Sequence, residues 1–177
     1  MASKQRERKI ATIRTIGASR SRGSIGYGTL AFACAIGRSG RRVLKREGDG
    51  ASPVGIWPIR LVLYRADKMI RPETALPVRA IRPADAWCDV AGDRNYNRLV
   101  RLPYATLHER LWRDDQLYDI CVVLGHNDRP RVQGLGSAIF MHVARQGYTP
   151  TEGCVALGLG DLRYLLAVLP TGSAVRF

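Results

Sequence analysis

The 177-residue chain lacks the features that mark several protein classes. Its four cysteines form no CxxC pair, which argues against a zinc ribbon or a thioredoxin-type site. The longest apolar run, Leu30 to Ile36, is far shorter than the roughly 18–20 residues of a membrane span. There is no internal repeat and no low-complexity segment. The length therefore predicts a single domain that can bury a core without a disulfide or a metal ion.

A leader sequence is also missing from the first residues. The stretch MASKQRERKIATIRT has a basic start, but no apolar core and no small-x-small cleavage site follow it, so it does not resemble a secretory signal peptide. Three possibilities stay open: the protein acts in the cytoplasm, its signal has been removed, or it is exported by a route that the sequence does not reveal.

Acidic residues are scarce in the same region. Residues 1–22 carry seven basic side chains and one acidic one, which gives +6 of the formal net charge of +13. Such an excess favours an anionic partner, either nucleic acid, acidic lipid headgroups or a carboxylate-rich polymer, and a solvated basic tail is the simpler alternative. We assign residues 1–24 to a basic, partly flexible N-terminal segment and residues 25–177 to the domain itself.

Short β-compatible segments separated by glycine and proline predict a mainly β fold. We expect a hairpin from GTLAFACAIG with a turn around Gly40, and an irregular region over residues 83–117 with a helical turn at ATLHERLW. Further strands are predicted within Lys9 to Ile16, IRLVLYRAD, PVRAIRP, YDICVVLGHN, SAIFMHV and SAVRF. Four leucines at helical spacing in DLRYLLAVL, followed by Pro170, predict one helix near the C-terminus.

The segment HVARQGYTPTEGCVAL raises the question of a cysteine nucleophile. Cys34 and Cys121 lie within apolar runs, where a thiol behaves as a small hydrophobe, whereas Cys154 follows Gly153 in a polar loop. A thiol of ordinary pKa is only a few per cent ionised at neutral pH, so it needs a nearby base. His142 lies twelve positions earlier, at the end of one face of a predicted strand. The intervening loop can fold back and bring both side chains to the same cleft. The alternative is a surface histidine and a half-buried, inert thiol.

Three ordered elements of the chain resemble the catalytic domain of the L,D-transpeptidases, the YkuD-like family. They are Ser52-Pro53-Val54-Gly55, then His142, and then Thr151-Glu152-Gly153-Cys154-Val155 after a short loop. The pieces AWCDV, NYNRLVRLPY, HERLWRDDQLYDICVVLGHN and LRYLLAVLPTGSAV resemble the compact branch of this family. The likeness covers the chain from about residue 28 to its last residue.

This resemblance implies an L,D-transpeptidase-like β-sandwich or barrel with a C-terminal helix, acting on peptidoglycan stem peptides. Cys154 would attack the carbonyl at the L-centre of a diamino acid and expel the terminal D-alanine, with His142 moving the proton. The thioester would then pass to an amine of a neighbouring stem, which forms a crosslink, or to water, which makes the protein a carboxypeptidase or amidase. The resemblance implies no metal or organic cofactor. Members of the family are acylated by carbapenems. The location that it implies is the periplasm or cell envelope.

The residues around the thiol extend the candidate site. The main chain of Gly153 and Glu152 is expected to face the developing oxyanion, and Thr151 to contact substrate. Many family members have His or Arg where Glu152 stands. A carboxylate there raises the pKa of the thiol unless it points away or pairs with an arginine such as Arg145. This departure leaves the acceptor and the type of crosslink open.

Three more residues are candidates for substrate binding. His126 and Asn127, at the end of a predicted strand, bind a substrate carboxylate or help to orient His142, or else they only cap a loop. Arg46 either grips a stem-peptide carboxylate through its two-pronged guanidinium group or is an ordinary surface arginine.

A nucleic-acid-binding protein that uses the basic N-terminus is the competing function. Against it, aromatic residues make up only 7% of the chain, and no stripe interleaves them with Lys and Arg. The partners that the resemblance implies are peptidoglycan stem peptides, as both donor and acceptor, and their carboxylates suit a basic surface. The sequence gives no indication of the oligomeric state.

Overall fold

Strands dominate residues 9–177, the part of the chain that the computed structural model describes. The strands of the largest sheet are β1 (Ile10–Thr15), β2 (Arg22–Tyr27), β3 (Leu30–Ala35), β6 (Ile56–Tyr64), β7 (Val78–Ala80), β11 (Ile120–Leu124), β12 (Phe140–Val143), β13 (Val155–Leu157) and β14 (Ala174–Arg176). The other elements are β4 (Arg41–Arg42), β5 (Ser52–Pro53), β8 (Asp85–Cys88), β9 (Arg98–Arg101), β10 (Glu109–Arg110) and the helix α1 (Leu159–Val168). Within residues 9–177, no helix is long and apolar enough to cross a membrane.

The largest sheet closes on itself. Its strand order is β11-β12-β13-β3-β2-β1-β14-β6-β7, and β11 also pairs with β6. Closure is possible because β6 is nine residues long and pairs with β14 along its first part and with β11 along its second. The fold is thus mainly β and barrel-like with one helix near the C-terminus, which confirms the predicted fold class.

Strand β12 separates two hydrophobic clusters. Met141 and the preceding Ile139 pack in the larger cluster, which also holds the buried leucines of α1, whereas Phe140 packs in a second cluster with Cys121 and Val123. Adjacent side chains of a strand point to opposite faces, so apolar residues on both faces require burial on both sides. The strand that carries His142 is therefore held between two packed layers.

Two local predictions are wrong. The segment over residues 83–117 is not irregular with a helical turn, because β8, β9 and β10 form a three-stranded antiparallel sheet and Glu109 pairs with Trp87. These strands are two to four residues long, too short to show a pattern in the sequence. The predicted turn at Gly40 is present, with its N–H bonded to the carbonyl oxygen of Gly37 at 2.8 Å, but GTLAFACAIG forms its hairpin with β2 through Gly28 and not with the segment after Gly40.

The predicted strand within Lys9 to Ile16 is present as β1. Its basic charge suggested a segment apart from the domain. β1 nevertheless lies in the sheet between β2 and β14, because Ala11 and Ile13 are buried in the main core. Residues 1–8 are outside the described residues, so the flexibility expected of the N-terminal segment stays a prediction there.

Candidate active site

Parallel pairing of β12 and β13 brings a histidine and a cysteine to the same cleft. The register sets His142 opposite Ala156, so Cys154, directly before β13, lies beside Phe140, whose N–H donates to the sulfur at 3.4 Å. Side chains two positions apart on a strand share a face. Both Cys154 and His142 line a cleft of about 480 Å³. The loop between them folds back, as the sequence analysis anticipated.

His142 is held as a neutral base. Its ring is buried, packs edge-on against Tyr118 at 5.6 Å between ring centroids, and has Nδ1 2.9 Å from the carbonyl oxygen of Val143. A carbonyl only accepts, so Nδ1 carries the proton and Nε2 of the neutral ring has the free lone pair. Burial lowers the pKa of His142 to about 4. At neutral pH the imidazole can therefore take a proton.

Cys154 rests as a neutral thiol. The residue is half-buried, and its S–H donates to the carbonyl oxygen of Ala138 at 3.2 Å. Burial raises the pKa of Cys154 to about 12, the Phe140 amide lowers it, and the Glu109 carboxylate raises it further. The resting pair is therefore thiol and imidazole, not thiolate and imidazolium, so the proton must move as the sulfur attacks.

Thr151 organises the turn that presents the thiol. Its Oγ1 donates to the carbonyl oxygen of Cys154 at 2.6 Å and accepts from the Gly153 N–H at 3.2 Å. Its main chain is bonded to Ile36 and Arg38 beyond β3. These hydrogen bonds support the turn that carries Cys154, and because Thr151 also lines the cleft, its predicted contact with substrate stays a prediction.

Only glycine fits the position before the cysteine. Gly153 has φ of +139°, and a Cβ atom there would lie 2.8 Å from the carbonyl oxygen of Ala51. Its own carbonyl oxygen accepts a hydrogen bond of 2.8 Å from the hydroxyl of Ser52, which is fully buried and accepts in turn from the Gly37 N–H at 3.0 Å. The upstream Ser-Pro-x-Gly stretch therefore supports the turn of the Gly-Cys dipeptide from beneath.

The carboxylate of Glu152 points away from the thiol. It accepts from Arg38 Nε at 2.9 and 3.0 Å, and both side chains are more than half exposed. The arginine that pairs with it is thus Arg38, not Arg145, because the parallel bridge of Gly37 with Thr151 aligns the two segments. The carboxylate that acts on the thiol's pKa is Glu109 instead.

His126 and Asn127 serve the loop that follows β11. The buried ring of His126 donates from Nε2 to the carbonyl oxygen of Leu135 at 3.0 Å, and its Nδ1 has no partner within residues 9–177. The side chain of Asn127 donates to Val132 and Gly136 and accepts from the Val132 N–H. Neither residue lines the cleft. Both close the loop that leads into β12.

Arg46 is exposed and its side chain is not part of the cleft wall. Its neighbour Lys45 is buried and pairs with Asp49 at 2.5 Å, while donating to the Arg46 carbonyl oxygen at 2.7 Å. Glu47 and Gly48, next along the chain, do line the cleft. The loop of residues 45–50 thus reaches the cleft through Glu47 and Gly48, and not through Arg46, the residue that the sequence suggested.

Several cleft residues have no signal in the sequence. They are charged or aromatic side chains that come from the 45–50 loop, from β10 and the segment after it, from just after β8 and from the segments beside β11 and β12: Glu47, Asp89, Glu109, Arg113, Tyr118 and Arg145. The approach of Asp89 and Glu109 to Cys154 depends on the three-stranded sheet, in which β8 pairs with β10. Within the described part of the chain, no group of three or more His, Cys, Asp or Glu side chains is arranged to hold a metal ion.

The chain matches a known protein family over most of its length. Residues 14–176 match the L,D-transpeptidase catalytic domain, the YkuD family, which is nearly the whole chain. Comparison with curated proteins and with solved structures gives no significant match.

Proposed function

The chain belongs to the L,D-transpeptidase catalytic domain family, and we propose that it crosslinks peptidoglycan stem peptides through a thioester on Cys154. The family consists of cysteine-dependent transpeptidases and implies a peptidoglycan substrate. One observation carries the proposal for this chain: the thiol of Cys154 and the neutral ring of His142 line one cleft. We also propose that the reaction takes place in the cell envelope, where this polymer lies.

In the first half-reaction the sulfur of Cys154 attacks the donor carbonyl carbon while its proton passes to Nε2 of His142. The Val143 carbonyl holds Nδ1–H, so the ring keeps its tautomer and its imidazolium form gains a fixed hydrogen-bond acceptor. The amides of Glu152 and Cys154 stabilise the oxyanion, whereas the N–H of Gly153, also expected to do so, already donates to Thr151 Oγ1. The peptide C–N bond then breaks, and the imidazolium gives its proton to the departing D-alanine amine.

In the second half-reaction an acceptor attacks the thioester carbonyl and the C–S bond breaks. An amine of a second stem peptide gives a crosslink, and water gives a shortened stem. Both outcomes use the same acyl-enzyme, so a carboxypeptidase or amidase is the alternative function. The charged side chains around the cleft support an amine as acceptor, because they offer it carboxylates.

The decisive experiment is incubation of the protein with a disaccharide-tetrapeptide, followed by mass spectrometry of both the protein and the products. Crosslinked dimers together with an acyl-enzyme mass on Cys154 are expected. Shortened monomers without dimers would move the assignment to the hydrolytic alternative. Absence of any acyl-enzyme under conditions where the protein is folded would contradict the proposal.

A further inference from the structure

One wall of the cleft carries carboxylates that the first half-reaction does not use. Glu47, Asp89 and Glu109 all line it together with Cys154. Glu109 belongs to β10 and is placed by its pairing with Trp87 of β8. It is the carboxylate whose charge acts on the pKa of Cys154. Its proximity to the sulfur therefore comes from the small three-stranded sheet.

Glu109 retains unused capacity to accept hydrogen bonds. Arg113 donates to Asp115 through both Nε and Nη2, at 2.8 Å each, and reaches Glu109 only through Nη1, at 3.2 Å. An ionised carboxylate offers about four lone-pair sites, so this long bond and the hydrogen bond from Tyr118 leave others available. The side chain of Glu109 is 31% exposed, which leaves it open to a ligand in the cleft.

A second, independent feature indicates where a polar group of a ligand can bind in the cleft. Ser137 lines the same cleft and is only 7% exposed, and within residues 9–177 its hydroxyl has no well-formed hydrogen bond, although Tyr96 lies beside it. A buried hydroxyl without a hydrogen-bond partner costs free energy. A polar group of a bound substrate would remove that cost.

The second half-reaction has a proton requirement that one histidine does not meet. A primary amine with a pKa of about 10.4 arrives as an ammonium ion, which has no lone pair for attack. Forming the amide removes two protons from it. The imidazole of His142 can return one of them to the sulfur, and the other needs a separate acceptor.

We propose that Glu109 binds the ammonium group of the acceptor amine in this cleft and takes its first proton. The inference rests on the proposed transpeptidase function. Burial and the Asp89 carboxylate raise the pKa of Glu109, whereas Arg113 and Tyr118 lower it. A carboxylate of raised pKa is the better proton acceptor, and it still attracts a cation when ionised.

The protons and bonds balance as follows. The ammonium gives one proton to the Glu109 carboxylate, which becomes a carboxylic acid, and the free amine attacks the thioester carbonyl carbon. A C–N bond forms, the C–S bond breaks, and the remaining amine proton passes through His142 to the sulfur. The products are an amide, the thiol of Cys154 and a protonated Glu109 that loses its proton to water.

The test compares acceptors of different charge on the same acyl-enzyme. The donor is a stem tetrapeptide with its amines acetylated, so that it cannot act as acceptor. The added acceptor is either a diamino acid, whose amines are cationic, or hydroxylamine, which is largely uncharged at neutral pH. The variant is Glu109→Gln, with Glu109→Asp as the conservative version. Glu73→Gln, an exposed residue outside the cleft wall, is the matched control.

Glu109→Gln should slow transfer to the diamino acid on the order of 10²–10⁴-fold relative to hydroxamate formation by the same variant. The acylation rate is measured separately, because loss of the Glu109 charge also lowers the pKa of Cys154. Glu109→Asp should recover part of the loss. The defect should shrink as the pH rises towards the pKa of the amine, because free amine then needs no base. The pH dependence of the transfer rate also reflects the charged or titratable groups that face Glu109, which are Asp89, Arg113, Asp115, Tyr118 and Cys154.

Equal loss with both acceptors, or no loss with either, would overturn the role of Glu109. If the wild-type protein forms no acyl-enzyme at all, the transpeptidase function itself fails, which is a different result. Circular dichroism and a thermal unfolding curve for each variant separate a folding defect from a chemical one. In that event Glu109→Asp, which keeps a carboxylate at this position, decides the question.

Discussion

The hydroxyl of Ser52 donates a hydrogen bond of 2.8 Å to the carbonyl oxygen of Gly153, although the two residues lie 101 positions apart. Ser52 is fully buried, and a Cβ atom at Gly153 would collide with the neighbouring Ala51. The two contacts hold the turn before the cysteine against the 50–53 segment. This placement governs where the thiol stands relative to His142.

Ser52→Ala should lower the free energy of unfolding by about 1–3 kcal/mol, because it leaves the Gly37 N–H and the Gly153 carbonyl without their partner. It should also slow acylation of Cys154, since the turn loses a support. Urea unfolding and the acylation rate measure the two effects. Ser39→Ala, two positions beyond Gly37 and partly exposed, should change neither.

Cys154→Ala should abolish both turnover and the covalent adduct with a carbapenem, because the sulfur that forms the thioester is removed. Intact-protein mass spectrometry after exposure to the drug measures the adduct. Cys34→Ala is the control: Cys34 is buried in the main core, so its removal should leave the adduct in place. An adduct that survives in Cys154→Ala would identify another nucleophile.

His142→Ala should reduce the acylation rate on the order of 10²–10⁴-fold, the usual contribution of a positioned acid–base group. His126→Ala should not reproduce this loss, because the ring of His126 is bonded to Leu135 and does not line the cleft. Stopped-flow or quenched acylation kinetics give both rates. A near-normal rate in His142→Ala would assign the base elsewhere.

The acid limb of the pH profile follows from the lowered pKa of His142. The imidazole acts as a base only when unprotonated, and burial keeps it so down to a pH of about 4. The kcat/KM for acylation should therefore fall with decreasing pH near 4 and not near 6.5, the value of an unperturbed histidine. An acid limb near 6.5 would mean that the ring is solvated in the active enzyme.

The resting thiol should react slowly with iodoacetamide at neutral pH. Burial raises the pKa of Cys154 to about 12, so the thiolate fraction is far below that of an exposed cysteine, whose pKa is about 8.5. The alkylation rate should keep increasing up to high pH. A cysteine-containing peptide provides the reference rate. If Cys154 is alkylated faster than this peptide at pH 7, the neutral resting pair is contradicted.

Much of the architecture could be predicted from the sequence because it depends on local patterns. Alternation in SAIFMHV predicted a strand with two different faces, and the structure buries Ile139 and Phe140 in separate clusters. Four leucines at helical spacing predicted α1. The resemblance in the Ser-Pro-x-Gly, His and Gly-Cys elements predicted the family, which the domain match confirms.

The three-stranded sheet could not be predicted in the same way. β10 is two residues long and β8 is four, and both are strands through pairings with distant segments: β10 pairs with β8, and β8 also pairs with β9. A stretch that reads as a helical turn around Glu109 is overridden by this pairing, since tertiary contacts outweigh weak local preference. For the same reason the proximity of Glu109 to the thiol has no sequence signature.

The sequence by itself determined the β-rich fold and the helix near the C-terminus, and it singled out the cysteine and the histidine that line the cleft, because strand periodicity, leucine spacing and a motif of fixed order are all local properties. Only the tertiary structure decided which arginine pairs with Glu152 and which carboxylate acts on Cys154. It also decided that the resting pair is neutral, because charge partners and burial depend on segments brought together from distant parts of the chain.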